Sequence, residues 1–451
     1  MPPVIKLKKG LDIPLQDTPP KIRVQAPPPD TISLKPTDFR RLTPKLLVKE
    51  GDVVAAGGAV YCNKYRPEVL FTAPVGGTVS AIVRGEKRKL LEIKIDCTSQ
   101  AEVRTFPVGA PDTLTREQIV EILLQSGCWP SLKQRPYGII ANPADTPKAI
   151  FISAFDSTPL APELDYVLIG QETDLQRGID VLRRLSPHGI FWGIRSQTPP
   201  ASVVRKVNHV HTYMFKGKHP AGNVGVQIHH IAPISKGEIA WTVDPQSVVV
   251  IGRLFGTGVL DCRKTVAITG PSASMPCYVS IIPGTPLSSL PQVGVYNPHI
   301  RYISGNCLSG EDVGYQGALG YYHHQITLLP EGNHRELLGW AKIFRPKTFS
   351  ISRSYLSWLT HEKRYRLDTN TNGGERAFVM SDVYKKVLPM DIYPDYLLKA
   401  ILAGEIEKME ALGIYEVIEE DFALCEFVCP SKINIQEIIA NGIDLMIKEM
   451  S

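Results

Sequence analysis

The stretch of this 451-residue chain that reads most directly as chemistry is CEFVCPSK, residues 425 to 432. Cys425 and Cys429 lie four apart and are followed by Pro430. That is the last part of an iron–sulfur run of the form C-x2-C-x2-C-x3-C-P, whose thiolates hold metal. The preceding ligands would fall at 419 and 422, where the chain carries Glu419 and Phe422. The remaining cysteines (62, 97, 128, 262, 277 and 307) form no C-x-x-C pair. Neither a cluster nor a four-ligand zinc site is therefore completed at recognisable spacing. The plainer reading makes Cys425 and Cys429 small apolar residues at the start of the last helix, with Pro430 where a helix start tolerates it.

Other chemistry-bearing residues are less pointed. Histidines come as adjacent pairs, His229–His230 at the end of KHPAGNVGVQIHH (218 to 230) and His323–His324 in YYHHQ. Read as strand residues, neighbours point to opposite faces, so neither pair is expected to share a metal. Lys64 in CNKYRPE lies near a hairpin tip, where carrier domains bear a modified lysine, but the flanking Met or Asp is missing. A dinucleotide site needs a glycine-rich turn between strand and helix, so that backbone N–H groups reach phosphate. FGTGVL (255 to 260) comes nearest and lacks both the third glycine and the helix; there is no Walker lysine motif. NTNGGERA (370 to 377) is a turn signal, whose Glu375 and Arg376 could pair with each other or face a partner. No Ser/His/Asp set or carboxylate pair has local support.

The elements that must position these residues form several units. The length calls for two to four domains, and 43% hydrophobic with 21% charged residues suits packed cores. A formal charge of +5 makes no nucleic-acid footprint. No run approaches the ~18 apolar residues of a membrane span, and the start, MPPVIKLKKGLDIPL, lacks a signal-peptide core. A cytoplasmic chain with reduced thiols is expected. Residues 1–36 are proline-rich and read as an extended, wrapping segment. Residues 37–105 alternate short β-branched runs with Glu-Gly-Asp and Gly-Gly turns, an all-β pattern. Residues 106–260 alternate strand and helix: TREQIVEILLQSG and TDLQRGIDVLRRLSP have helical spacing, KAIFISAF and GIFWGI read as strands. That alternation predicts an α/β domain. Residues 261–335 are β-rich, and 336–451 end in helices such as INIQEIIANGIDLMIKEM.

Taken together, EGDVVAAGGAV, HPAGNVGVQIHHIAP, VVVIGRLF, RYISGNCLSG, TNGGERAFV, MDIYPDYLL and DFALCEFVCPSK resemble, in order and over nearly the whole chain, the A subunit of the Na+-translocating NADH:quinone oxidoreductases. The resemblance implies an α/β multidomain fold: a lipoyl/biotinyl-like β barrel-sandwich, a Rossmann-like domain, a small β-grasp domain and a helical C-terminal module. Sister proteins, the C subunit of a ferredoxin-linked pump and the flavin subunit of respiratory complex I, bind flavin through a G-G-A-G-F-P loop and an E-x-E-P segment. The counterparts here are QSGCWP (125 to 130), with Gln125, Ser126 and Cys128 in the glycine space, and FDSTP, with Phe155 and Ser157 at the carboxylate positions. Side chains there would keep phosphate from the backbone. With CEFVCPSK as a degenerate cluster remnant, three cofactor sites are degraded together.

The resemblance thus implies a peripheral subunit on the cytoplasmic face of a bacterial inner membrane, without flavin, metal or NADH of its own. It would belong to a complex containing flavins, an iron–sulfur cluster, ubiquinone-type quinone and Na+, with the membrane subunits as partners and no nucleic acid. Its expected task is assembly and the quinone-reduction step; the alternative is a scaffold without quinone contact. Trp129, His219, His229 and His230 are the candidate quinone-binding residues, since a quinone needs an apolar slot and hydrogen-bond donors at its carbonyls.

Overall fold

A computed structural model describes residues 2–98, 100–333, 349–351, 359 and 364–450. The boundary expected between 335 and 336 lies outside the described residues. At the centre is a seven-stranded sheet, ordered from edge to edge Val4–Lys6, His211–Lys216, Ile190–Arg195, Ile150–Ser153, Ala240–Thr242, Lys133–Arg135, Ile139–Ile140. The first five run parallel, and Lys133–Arg135 is antiparallel to Ala240–Thr242. Ile150, Phe151 and Ile152 are all buried, as a central parallel strand covered on both faces requires. The chain fills one side of Ile150–Ser153 with Ile190–Arg195 and His211–Lys216, then returns to its other side with Ala240–Thr242. The order of the sheet therefore reverses between Ile150–Ser153 and Ala240–Thr242. In open α/β sheets such a switch point opens a crevice beyond the carboxyl ends of the strands, where ligands bind.

The helices have readable stops and starts. Arg116–Ser126 begins in a capping box between Thr115 and Gln118 and ends at Gly127, whose φ of 75° is left-handed. Pro245–Thr257 is capped by Asp244, which accepts the Ser247 N–H at 2.9 Å, and stops at Gly258. This helix packs against Glu172–Arg183 at glycine contacts. A Cβ on Gly252 would stand 1.8 Å from the Asp174 carbonyl oxygen, and one on Gly178 2.1 Å from that of Val248.

Around the α/β unit lie three further bodies. Two small sheets, one of four strands and one of three, build the barrel-sandwich; the hairpin turn after Ala59–Asn63 carries exposed Lys64. A six-stranded mixed sheet contains Lys264–Thr269, Cys277–Ile281, Ile300–Ser304 and Gln325–Pro330. The C-terminal module packs Pro394–Leu402, Ala423–Val428 and Ile435–Met450 on a separate apolar core. The proline-rich start crosses all of them. Val4–Lys6 closes an edge of the α/β sheet, Arg23–Gln25 an edge of the six-stranded sheet and Thr31–Leu34 an edge of the four-stranded sheet. Ile13 and Leu15 bury themselves in the C-terminal core. Among the described residues, no helix is long and apolar enough to cross a membrane.

Three local expectations need correction. His229 and His230 are not on a strand; they end the helix Val224–Ile231. Val224, Val226 and Ile228 alternate like a strand, but the helix buries Gly225, Val226, Gln227 and Ile228 together, so apolar residues appear all round it. His323 and His324 likewise lie just before the strand Gln325–Pro330, not in it. Pro430 follows the helix Ala423–Val428, and the last helix starts only at Ile435. It therefore acts as a helix stop, because proline cannot continue the hydrogen-bond ladder.

The glycine contact gives a first test. Gly252→Val places side-chain atoms inside the Asp174 backbone, so thermal unfolding should move to lower temperature by an amount matching roughly 1–3 kcal/mol or more of overpacking. An unchanged melting curve would contradict the close helix pairing.

Candidate functional site: a polar cleft at the strand switch point

The carboxyl ends of the parallel strands open into a cleft of about 630 Å³, within the usual range for small-molecule sites. Four bodies wall it. The α/β domain supplies the loop after Ile150–Ser153 with Phe155 and Asp156, the loop after His211–Lys216 with His219, and Asp244 after Ala240–Thr242. The barrel-sandwich contributes Asp38 to Arg40, the six-stranded body Tyr321 to His324, and the C-terminal module Ile418 to Glu420.

Hydrogen bonds fix this wall. The ring Nδ1 of His219 lies 3.0 Å from Ser157 Oγ, which also accepts the Gly222 N–H at 2.8 Å; the His219 backbone N–H donates to Asp12 at 2.9 Å. Burial lowers the His219 pKa to about 4, so the ring is neutral near pH 7. Opposite, Asp38 accepts the Tyr321 N–H at 2.8 Å. Burial raises its pKa to about 6 against the pull of Lys35. Burial also raises the Asp156 pKa, although Thr158 donates to that carboxylate twice, at 2.7 and 2.8 Å. Asp244 goes the other way. Burial favours its neutral form, but Lys264, 3.7 Å away, and His324, 3.0 Å away, outweigh it and hold the carboxylate ionised. His323, 2.7 Å from Ser304 Oγ, has its pKa lowered to about 3, chiefly by burial and then by Lys133.

One edge of the cleft is a buried ion cluster. Arg135 is 2% exposed; it donates to Asp421 at 2.9 Å and to Glu420 at 3.2 Å. Asp421 also accepts the Ile418 N–H at 3.0 Å. Glu419 pairs with Arg40 and lies 3.7 Å from Arg41. Three consecutive acids of the C-terminal module thus meet arginines of two other bodies.

Of the four candidate quinone-binding residues, only His219 lines the cleft, together with Phe155, His323, His324 and Glu419 from the other stretches considered. Trp129 is fully buried; its indole N–H donates to the Ala141 carbonyl at 2.8 Å and its ring packs edge-on against Trp241. Its loop is filled as well. A Cβ on Gly127 would stand 2.3 Å from Thr72 Oγ1, and Thr72 donates to the Ser126 carbonyl at 2.9 Å. His229 accepts the Asp391 N–H at Nε2 (2.9 Å), so its Nδ1–H donates to Glu416 at 2.6 Å. His230 lies 2.8 Å from the Pro389 carbonyl. Both histidines fasten the α/β domain to the C-terminal module. Cys425 and Cys429 are buried in the C-terminal core, Cys429 3.1 Å from the Tyr384 hydroxyl. Among the described residues, no three His, Cys, Asp or Glu side chains gather as a metal site. Sequence reasoning missed Asp38, Lys133, Arg135, Asp244, Tyr321 and Tyr322. One signal was available: KQR places Lys133 and Arg135 on one face of a buried strand, where charges need a reason.

The chain is thus an α/β unit with a crevice at its strand switch point, braced by a barrel-sandwich and a helical module. Family models match in three consecutive pieces: the NqrA N-terminal barrel-sandwich hybrid domain over residues 5–98, the NqrA second alpha/beta domain over 114–260 and the NQRA C-terminal domain over 265–314. The A subunit of the Na(+)-translocating NADH-quinone reductase of Neisseria meningitidis serogroup C is 35% identical over 99% of this chain and 100% of its own length. That of Yersinia pestis bv. Antiqua is 37% identical over 95% of this chain and 96% of its own. The chain belongs to this family, the A subunits of the Na(+)-translocating NADH-quinone reductases. A solved NAD+-reducing nickel–iron hydrogenase aligns at TM-score 0.39 and 11% identity, over 76% of this chain and 62% of that one, too low to carry an argument.

Two tests follow from the site. Arg135→Met leaves Asp421 buried without its counter-charge and should cost roughly 3–5 kcal/mol, whereas Arg135→Met with Asp421→Leu should recover much of that loss. Equal losses in denaturant titrations of the single and double variants would contradict the pairing. His219 and His323 have folded-state pKa values of about 4 and about 3, below their unfolded values. The unfolded chain therefore takes up more protons as pH falls, and their contribution, full above about pH 6.5, is lost as pH drops toward 4. His219→Gln should flatten that part of the stability–pH curve; an unchanged curve would count against a buried neutral ring.

Proposed function

We propose that this chain is a peripheral subunit, on the cytoplasmic face of the inner membrane, of a complex that oxidises NADH, reduces ubiquinone-type quinone and exports Na+. Its part is to wall the quinone-reduction region through the switch-point cleft, without a redox cofactor of its own. The observation that carries this reading is the cleft: large enough for a flat head group, with aromatic rings at Tyr321 and Tyr322 and hydrogen-bonding groups on several walls.

The lining disfavours a nucleotide phosphate. The carboxylates around the cleft already hold its basic groups: Asp38 and Glu311 pair with Lys35, Glu419 with Arg40, Glu420 with Arg135 and Asp244 with Lys264, which leaves little free positive charge for a dianion. A neutral dicarbonyl needs no such counter-charge. Trp129, His229 and His230 are engaged elsewhere, which leaves His219 as the carbonyl-facing histidine among the residues first considered. Partners are the other subunits of the pump, the membrane subunits chiefly.

A photoreactive quinone analogue applied to the assembled complex tests the reading. Peptides within 153–158, 219–224 and 321–325 should be labelled, and excess quinone should suppress the labelling. Labelling confined to other subunits would leave this chain as a scaffold. The isolated chain, purified without air, should show no flavin or cluster absorbance; a stoichiometric chromophore would overturn the cofactor-free assignment.

A further inference from the structure

Lys133 stands out as a charge that the fold does not use. It lies on the strand Lys133–Arg135, in register with Thr242 on one side and Ile140 on the other, and all three line the cleft. Its strand-mate Arg135 is paired with Glu420 and Asp421. The Lys133 ammonium makes no ion pair or hydrogen bond among the described residues; it rests 3.7 Å above the centre of the Tyr322 ring. Tyr322 is itself held by donating its hydroxyl proton to the Pro130 carbonyl. Burial lowers the Lys133 pKa, and only distant Glu420 and Asp244 pull it back. Lys133 is half-buried at the cleft wall, where no counter-ion holds its ammonium; the cation–π contact fixes its place without neutralising it. The three ammonium protons are therefore free for an acceptor that the folded chain does not contain.

We propose that Lys133 is the hydrogen-bond donor that reads a carbonyl oxygen of the quinone head group, with the ring of Tyr322 fixing the height of the ammonium. This rests on the quinone reading of the cleft. The acceptor class follows from the surroundings. The arginines and the other lysines at the cleft are already paired with carboxylates, which leaves one ammonium: enough for a neutral carbonyl oxygen, and too little charge to neutralise a dianion. When the quinone takes up two electrons, delivered from NADH through the rest of the complex, negative charge develops on that oxygen before the two protons bond to the two oxygens. A fixed cation there gains more from the reduced ring than from the oxidised one. Lys133 is thus a specificity-determining contact for the reducible carbonyl and not a structural one.

The two roles predict opposite signs. In the assembled complex, Lys133→Met removes a charge that no partner neutralises and keeps the apolar stem. Thermal stability should hold or rise, while KM for a short-chain, water-soluble ubiquinone should rise roughly tenfold to a hundredfold, the worth of a hydrogen bond to a charged donor. Lys133→Arg should retain part of the affinity. Unchanged KM in an assembled Lys133→Met complex overturns the proposal. If that variant does not assemble, the wild type still decides. The short-chain quinone should slow acylation of Lys133 by acetic anhydride, read by peptide mass spectrometry, and absence of protection overturns the assignment. Photolabelling separates the two levels. A labelled cleft with an unprotected Lys133 refutes the role of this residue alone, whereas an unlabelled cleft refutes the quinone reading beneath it.

Discussion

The arrangement of the whole molecule depends on one buried ion pair, Arg135 with Asp421. Arg135 is planted in the α/β sheet, and Asp421 lies on the C-terminal module, 286 residues further along the chain. Neither side chain meets bulk water. Buried in any other register, each would carry its desolvation cost without a partner, which favours the one register in which the two domains meet. That register brings Glu420 to Arg135 and Glu419 to Arg40, and it presses Asp421 on the helix Val224–Ile231 at Gly225, where a Cβ would stand 2.6 Å from the carboxylate. The cleft exists because these contacts hold the C-terminal module against the open ends of the strands.

The same contacts occupy the two positions at which a C-x2-C-x2-C-x3-C-P run would need thiolates. The positions where the two missing thiolates would lie are Glu419, now paired with Arg40 and Arg41, and Phe422, fully buried in the C-terminal core. The segment that in the iron–sulfur pattern supplies metal ligands supplies an electrostatic clamp here. Cys425 and Cys429 remain as packing residues beside Tyr384. In QSGCWP, the segment that the sequence likens to a flavin loop, the packing is tight: Ser126, Cys128 and Trp129 are all buried, and Gly127 is pressed on Thr72 of the barrel-sandwich. Domain contact leaves no open backbone at this segment.

Much of the fold was legible because its signals are local. The capping box at Thr115 and Gln118, the unbroken apolar run of Ile150–Ile152 and the helical spacing of Ile435–Met450 each depend on a few neighbouring residues. The helix Val224–Ile231 was misread because valine and isoleucine at alternate positions imitate a strand; only burial on several sides distinguishes it. The cleft was largely illegible for a different reason. Asp38, Lys133, Asp244, Tyr321 and Glu420 come from separate elements and have no shared spacing. Of the residues anticipated there, His219 reaches the cleft, since HPAGN forms the loop beyond a parallel strand; Trp129, His229 and His230 were placed by analogy with a pocket whose loop is now filled. The seam role of His229 and His230 appears only when Glu416, Asp391 and Pro389 are in place beside them.

The central claim is that the switch-point cleft, completed by the C-terminal module, holds the quinone head group. A structure of the assembled complex with a bound quinone tests it most directly. The account predicts a flat ring in the cleft beside Tyr322, with one carbonyl oxygen within hydrogen-bonding distance of Lys133. A head group found only among the membrane subunits, with the cleft filled by water and side chains, would contradict it.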